Sequence, residues 1–335
     1  MNLDHIKYLR CPKSGSTLSL KEGAELEGER VRTAELVSDG GHIYPVVDFI
    51  PRFVSSENYA KGFGYQWLKH ARTQYDSFTG QSFSKNRFFA TTRWPERLDG
   101  KVMIEAGCGS GRFTEVAAAT GAMVLSFDYS AAVEANYASN GHRDNVLIVQ
   151  ADIYQMPFAH ESADYLYCLG VLQHTPDVER AFKSLPSVLK PGGRLAIDLY
   201  LQMTGVLSWI LRNTSTWNII RPMTCRMNPD RLYAFCDRHI ERLWGLALRI
   251  NRKRWGPFVL RRFMVPPYIG EYDLPDDLLK QWMKLDLFDC LAARYISPQT
   301  LATVRRWFEE CDLDNIEVQT GHNGINGLAA KRGQP

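Results

Sequence analysis

The stretch VMIEAGCGSGRFT, residues 102–114, decides the fold. A short apolar run ends in Glu105, and Gly107, Gly109 and Gly111 then alternate into a helix-like segment. Glycines at such a strand-to-helix turn let the backbone bend sharply and approach a ligand closely. The spacing is GxGxG rather than GxGxxG, which departs from a dinucleotide-binding loop, and no lysine follows, which excludes a phosphate-binding P-loop. Outward from this loop the pattern repeats. MVLSFDYS predicts a second strand ending in Asp128, NVLIVQAD a third ending near Asp152, ADYLYCLGVL a fourth, and RLAIDLY a fifth after the KPGG turn. Helix-like RFTEVAAATG, AAVEANYASN and VERAFKSLPSVLK separate them. Such alternation predicts an α/β, Rossmann-like doubly wound sheet with helices on both faces. IEVQTG and GINGLAAKRG predict two closing antiparallel strands, and SPQTLATVRRWFEECDL a helix capped by Ser297 with Pro298 at its first position.

An acid after the second strand of a doubly wound sheet faces a cofactor's ribose, so Asp128 is a candidate acceptor for both ribose hydroxyls. Asp152, after the third strand, can accept from an adenine amino group. His174 follows the fourth strand, at the sheet end where such folds bind ligands. It is a candidate general base; alternatively it packs against or caps the next turn through Thr175 or Asp177.

Taken in order, EAGCGSG (105–111), SFDYS (126–130), QADIYQMPF (150–158), GVLQHTPD (170–177) and LKPGG (189–193) resemble class I S-adenosylmethionine-dependent methyltransferases of the type 11 branch. The resemblance spans about residues 100–200 well and 286–332 acceptably. It implies S-adenosylmethionine as cofactor. It places Glu105, Gly107, Gly109 and Gly111 around the methionine part, Asp128 at the ribose and Asp152 with Ile153 around adenine, and adds Ala106, Tyr129 and Leu169 to the cofactor-binding residues. It also implies that Asp286, Asp289 and Tyr295, in MKLDLFDCLAARYISPQT, wall an acceptor pocket, although no proline precedes Tyr295 here; equally, they anchor the insert to the sheet.

The flanking regions are read separately. Residues 1–55 predict a small β-rich module that resembles a degenerate zinc ribbon. Cys11 persists, Ser14 stands where its partner would be, and Cys11 with His42 is not a zinc ligand set, so no metal is expected. HIYPVVDFIPRFV holds two prolines and reads as an edge strand or extended segment. Residues 56–100 predict a helical lid or linker, with Tyr59, Phe63, Trp67 and His70 at helical steps. Trp67, Tyr75 and Arg87 are candidates to close over the site or, taken singly, ordinary packing residues, and Gln173 is a candidate to line it. Residues 101–200 and 296–335 would form the methyltransferase domain, and 201–295 a basic, aromatic helical insert on the acceptor side.

The chain has 335 residues, 45% of them hydrophobic and 23% charged, which excludes an intrinsically disordered chain. Seven scattered cysteines without CxxC read as reduced thiols, and no apolar signal core or long apolar run is seen, so a cytoplasmic protein is expected. Net charge is +3, yet residues 201–270 hold twelve Arg/Lys against three Asp/Glu. In 228–255 an apolar stripe of Leu232, Phe235, Cys236, His239, Ile240, Leu243, Ala247 and Ile250 faces one way and Arg231, Arg238, Arg242 and Arg249 another. Trp209, Trp217, Trp244, Trp255, Phe258 and Phe263 lie nearby. That face is a solvated helix surface, a contact for an anionic membrane or phosphate-bearing carrier, or, less favoured, a nucleic-acid surface. The expected function is methyl transfer to oxygen or nitrogen of a small-molecule, glycan or lipid-linked acceptor. The alternatives are an RNA methyltransferase and a non-catalytic cofactor-binding subunit.

Overall fold

The computed structural model describes residues 1–55, 58–202, 204–205 and 215–333; Trp209 lies outside them. The chain opens with a 3-10 turn and a small antiparallel sheet: β1 (Leu18–Leu20), β2 (Glu25–Glu27), β3 (Arg30–Ser38), β4 (Ile43–Val47) and β5 (Ile50–Pro51). The path runs β1-β3-β4-β5, with β2 on β3. Of the segment expected to be an edge strand or extended, β5 with Pro51 does end the sheet path, whereas β4 with Pro45 lies between β3 and β5. Proline is tolerated because β5 is so short that Pro45 need only accept, through its carbonyl, from the Arg52 amide at 2.8 Å.

Three helices follow, α1 (Lys61–Lys69), α2 (Asp76–Thr79) and α3 (Phe83–Thr92). Then comes the alternating region: β6 (Val102–Ala106), α4 (Arg112–Ala119), β7 (Met123–Asp128), α5 (Ala132–Asn140), β8 (Val146–Gln150), β9 (Ala163–Leu169), α6 (Val178–Ser184) and β10 (Leu189–Leu199). The insert supplies α7 (Thr216–Thr224), α8 (Pro229–Asn251), α9 (Gly256–Arg262) and α10 (Asp276–Ala292). The chain ends with α11 (Leu301–Glu310), β11 (Leu313–Gly321) and β12 (Gly324–Lys331).

The large sheet runs β8-β7-β6-β9-β10-β12-β11. The register is parallel from β8 to β10, and β12 is antiparallel to both β10 and β11. Its strands alternate between two cores, as a period-two side-chain pattern requires. Met103, Val124, Ile148, Tyr167 and Ala196 face Phe88 of α3, Phe113 of α4 and Val133 of α5. Ile104, Leu125, Leu147, Leu166 and Ile197 face the other way, toward Phe182 of α6 and Trp307 and Phe308 of α11.

The N-terminal module shares that second core through Leu9, Val31, Leu36 and Val46. It docks on the β8 edge, where the Phe53 amide donates to the Gln150 carbonyl at 2.8 Å. Arg52 reaches the Gln150 side chain at 3.0 Å and Glu134 at 3.2 Å. Cys11 is buried, with its sulfur 3.2 Å from the Tyr44 hydroxyl. Among the described residues no three metal-type side chains cluster.

α8 starts as expected, with Asn228 accepting from the Asp230 and Arg231 amides and Pro229 at the first position. Leu232, Cys236, Ile240 and Ala247 pack against Leu279, Met283, Leu287 and Leu291 of α10. Phe235, expected on that stripe, is exposed instead. The last helix also starts later than expected. Thr300 is its cap, accepting from the Thr303 amide at 3.1 Å. Ser297 stays extended because its amide donates to the Gln173 carbonyl, and the Gln299 amide to that of Tyr200, each at 2.9 Å. No helix among the described residues is long and apolar enough to cross a membrane.

Candidate functional site

The carboxyl ends of β6, β7, β9 and β10 open into a cavity of about 700 Å³, a size typical of ligand sites. The glycine loop forms part of its wall. Gly107 and Gly109 have φ of 81° and 53°, in the left-handed region. A Cβ at Gly107 would lie 2.4 Å from a Val171 methyl, and one at Gly109 would lie 3.0 Å from the Trp67 indole nitrogen. Gly107 has no room for a side chain, and at Gly109 one would press on Trp67. Gly111, at φ 96°, is the N-cap of α4.

Asp128 ends β7 beside this loop. One carboxylate oxygen accepts from the Gly109 amide at 2.9 Å, and the other from the Ser130 amide and hydroxyl at 2.8 and 2.7 Å. Burial raises its pKa, against these hydrogen bonds. Glu105 sits behind the loop, accepting from the Thr114 hydroxyl and, at 2.8 Å, from that of Ser126. Burial pushes it up to about 7. Ala106 is buried in the core beside it.

Of the residues singled out in the sequence, Trp67, Arg87, Gly107, Gly109, Asp128, Tyr129, Ile153, Leu169, His174, Asp286 and Asp289 line the cavity. Glu105, Ala106, Gly111, Asp152, Gln173, Tyr75 and Tyr295 do not. Asp152 accepts from the Tyr154 amide at 2.9 Å, next to the lining residue Ile153. Tyr75 supports the glycine loop from behind, its hydroxyl donating to the Ser110 carbonyl at 2.5 Å. Gln173 is fully buried, and both ends of its amide lack a partner among the described residues. Tyr295 packs edge-on against Tyr59, with ring centres 5.5 Å apart.

His174 is held by its surroundings. Its Nδ1 lies 3.0 Å from the Tyr295 carbonyl oxygen. A carbonyl only accepts, so Nδ1 carries the proton and Nε2 keeps its lone pair. Phe63 and Tyr200 stand edge-on to the ring, at 5.0 and 5.5 Å. Burial lowers its pKa to about 4, so the ring is neutral at pH 7.

The remaining wall was not found by sequence reasoning. Tyr268 and Tyr272 follow α9, Trp282 lies on α10, and His322 and Asn323 form the β11–β12 turn. Asp198 at the end of β10 is fully buried. It receives Arg87 at 2.6 Å and Asn323 at 3.1 Å. Arg112 opens α4 and reaches the cavity. It has no ion pair or hydrogen-bond acceptor among the described residues, and burial and Arg87 lower its pKa to about 9. Opposite in charge, Asp286 accepts from Tyr268. Asp286 and Asp289 are both screened from bulk water and pushed up to about 7 by burial, Asp286 also by Asp289.

The glycine loop, the acid after β7 and the apolar pair Ile153 and Leu169 fit an adenosine-bearing cofactor at the carboxyl end of the sheet. Residues 104–197 match a family described as "Methyltransferase domain". The chain is similar to the tRNA U34 carboxymethyltransferase of Campylobacter curvus, 27% identical over 145 residues, 42% of this chain and 48% of that one. It is similar to the demethylmenaquinone methyltransferase of Thermobifida fusca, 28% identical over 188 residues, 52% of this chain and 78% of that one. It is also similar to the ubiquinone biosynthesis O-methyltransferase of Coxiella burnetii, 33% identical over 101 residues, 29% of this chain and 43% of that one. The chain thus spans about half the length of the first and third of these relatives. The sheet order and the glycine loop agree with the match of residues 104–197 to a methyltransferase domain, and S-adenosylmethionine is the cofactor that such domains bind.

Proposed function

We propose that the protein transfers a methyl group from S-adenosylmethionine to an oxygen or nitrogen of a small-molecule, glycan or lipid-linked acceptor. One observation carries this: a single cavity is walled both by the glycine loop and Asp128 and by aromatic residues of the insert. Cofactor and acceptor sides therefore meet in one space. The demethylmenaquinone and ubiquinone-biosynthesis enzymes among the relatives support a small or lipid-like acceptor.

The cofactor supplies a methyl group activated by a positively charged sulfur. The chain supplies position and proton handling. Asp128 accepts from a ribose hydroxyl with the lone pair that Gly109 leaves free on the shared oxygen, Ser130 occupying both sites of the other. Ile153 and Leu169 flank the base. Glu105 and Tyr75 hold the loop from behind rather than touching the cofactor. Phe63 and Trp67 on α1 cover the site and exclude water. His174 Nε2 accepts a hydrogen bond from the acceptor's O–H or N–H and aligns its lone pair. Arg112 receives an anionic group of the acceptor, the partner that no side chain provides.

A second reading, RNA methylation, is favoured by the basic surface of α8 and by the tRNA relative. Purified protein and methyl-labelled S-adenosylmethionine, incubated with cell extract separated into RNA, protein and organic-soluble or small-molecule fractions, test the assignment. Label in the last fraction is expected. Label in RNA overturns it, as does absence of label despite cofactor binding.

A further inference from the structure

The outer surface of the insert carries a feature that methyl transfer does not use. With about 100° per residue, α8 turns Leu232, Cys236, Ile240 and Ala247 inward onto α10. Arg231, Phe235, Arg238, Arg242, Leu246 and Arg249 are exposed on a separate, solvent-facing side, within an arc of about 80°. The three carboxylates of α8 lie outside that arc and are engaged elsewhere. Asp237 and Glu241 pair with Lys284 at 2.7 and 2.6 Å, and Asp230 accepts from Tyr65 at 2.8 Å. None of the four arginines forms an ion pair among the described residues.

The same surface continues around the elbow between α8 and α9. Arg252, Lys253, Arg254 and Arg261 are exposed there. So are Trp255, Phe258 and Phe263, at 56%, 62% and 59%. His239 joins the two parts, stacking on Phe235 at 5.5 Å with its Nε2 2.7 Å from the Phe263 carbonyl oxygen. Eight of the fourteen large apolar side chains exposed among the described residues fall between 219 and 263, so the apolar surface is concentrated rather than scattered.

We propose that this face rests on an anionic lipid bilayer. The guanidinium groups meet phosphate headgroups, and Trp255, Phe258 and Phe263 enter the interfacial zone. The charge is complementary and the face lacks a carboxylate that would repel the surface. Large apolar tips distinguish it from a face that only neutralises phosphates. The attachment is peripheral. It would place α10, whose Trp282, Leu285 and Asp286 wall the cavity, one helix layer from the lipid. It therefore deepens the proposed lipid-linked acceptor, but the binding itself does not depend on methyl transfer.

Co-sedimentation of the full chain with vesicles tests it without cofactor or acceptor. One set holds phosphatidylcholine alone, the other phosphatidylcholine with phosphatidylglycerol. The protein is expected to bind the second set, more weakly as salt rises. The variant Arg238→Gln/Arg242→Gln/Arg249→Gln is expected to lose affinity on the order of 100-fold. Trp255→Ala/Phe258→Ala is expected to lose about tenfold. Both should keep the unmodified protein's thermal midpoint and cofactor affinity, which separates lost docking from lost folding. No preference for anionic vesicles overturns the proposal. So does full vesicle binding by either variant, or displacement from vesicles by transfer RNA at equal phosphate concentration. Failure of the methyl-transfer assignment would leave these results unchanged.

Discussion

Asp128 divides its oxygens between the loop that shapes the site and the ligand that fills it. Asp128→Asn leaves one acceptor oxygen where the Gly109 N–H on one side and the Ser130 N–H and O–H on the other each need one. Calorimetry is expected to show S-adenosylmethionine affinity reduced about 10- to 100-fold. Gly109→Ala forces a side chain into the left-handed region against Trp67 and is expected to cost about 1–2 kcal/mol of stability in denaturant melts. At His174 the expected signature is kinetic. His174→Asn should lower kcat about 100-fold while cofactor affinity is retained. Burial keeps this ring neutral down to about pH 4. The unmodified enzyme's rate should therefore show no acid limb near pH 6.5 from this residue, a point that a pH–rate profile checks.

At the scale of elements, α4 shows a local conflict with a functional sense. Arg112 is a cation in the first turn, where the helix dipole favours anions, and Arg87 adds repulsion. Arg112→Ala is expected to raise ligand-free stability by about 0.5–1 kcal/mol while raising the acceptor KM. Thermal melts and steady-state kinetics report the two effects separately. What was legible in the sequence follows the same local logic. The strands of the large sheet, the glycine turn and the Asn228 cap of α8 are encoded by neighbours in sequence, so they could be read there. The start of α11 could not: Ser297 and Thr300 are both competent caps, and pairing with Gln173 and Tyr200 decides between them. Tyr268, Tyr272 and Trp282 carried no motif; only the packing of α8 on α10 brings them to the cavity. Tyr75 lies in an aromatic segment that reads as helical, but it is the extended residue before α2, and its contact with Ser110 carries no signal in the sequence.

At the scale of the whole molecule, buried acids and histidines set opposing pH dependences. Asp289 titrates near 7 in the folded protein, above its ordinary range. The folded state therefore binds more protons between about pH 4 and 7, and this group's contribution to stability falls as pH rises through that window. Asp289→Asn is expected to stabilise the protein by about 1–3 kcal/mol at pH 8, with the gain vanishing toward pH 4. The difference in thermal midpoint between the two proteins across pH isolates this effect from His70 and His174, whose lowered pKa values act in the opposite direction.

The cavity wall draws on residues as far apart in sequence as Tyr59 and Asn323. The β11–β12 hairpin that carries Asn323 also seats β12 beside β10. A ribosome can thus release the glycine loop, Asp128 and His174 long before the wall facing them exists. Competence arrives only with the β11–β12 hairpin. A nascent polypeptide arrested before the hairpin would hold the cofactor-side parts of the enzyme with one side of the chamber open to water, and premature termination anywhere upstream of β12 should yield no working partial product.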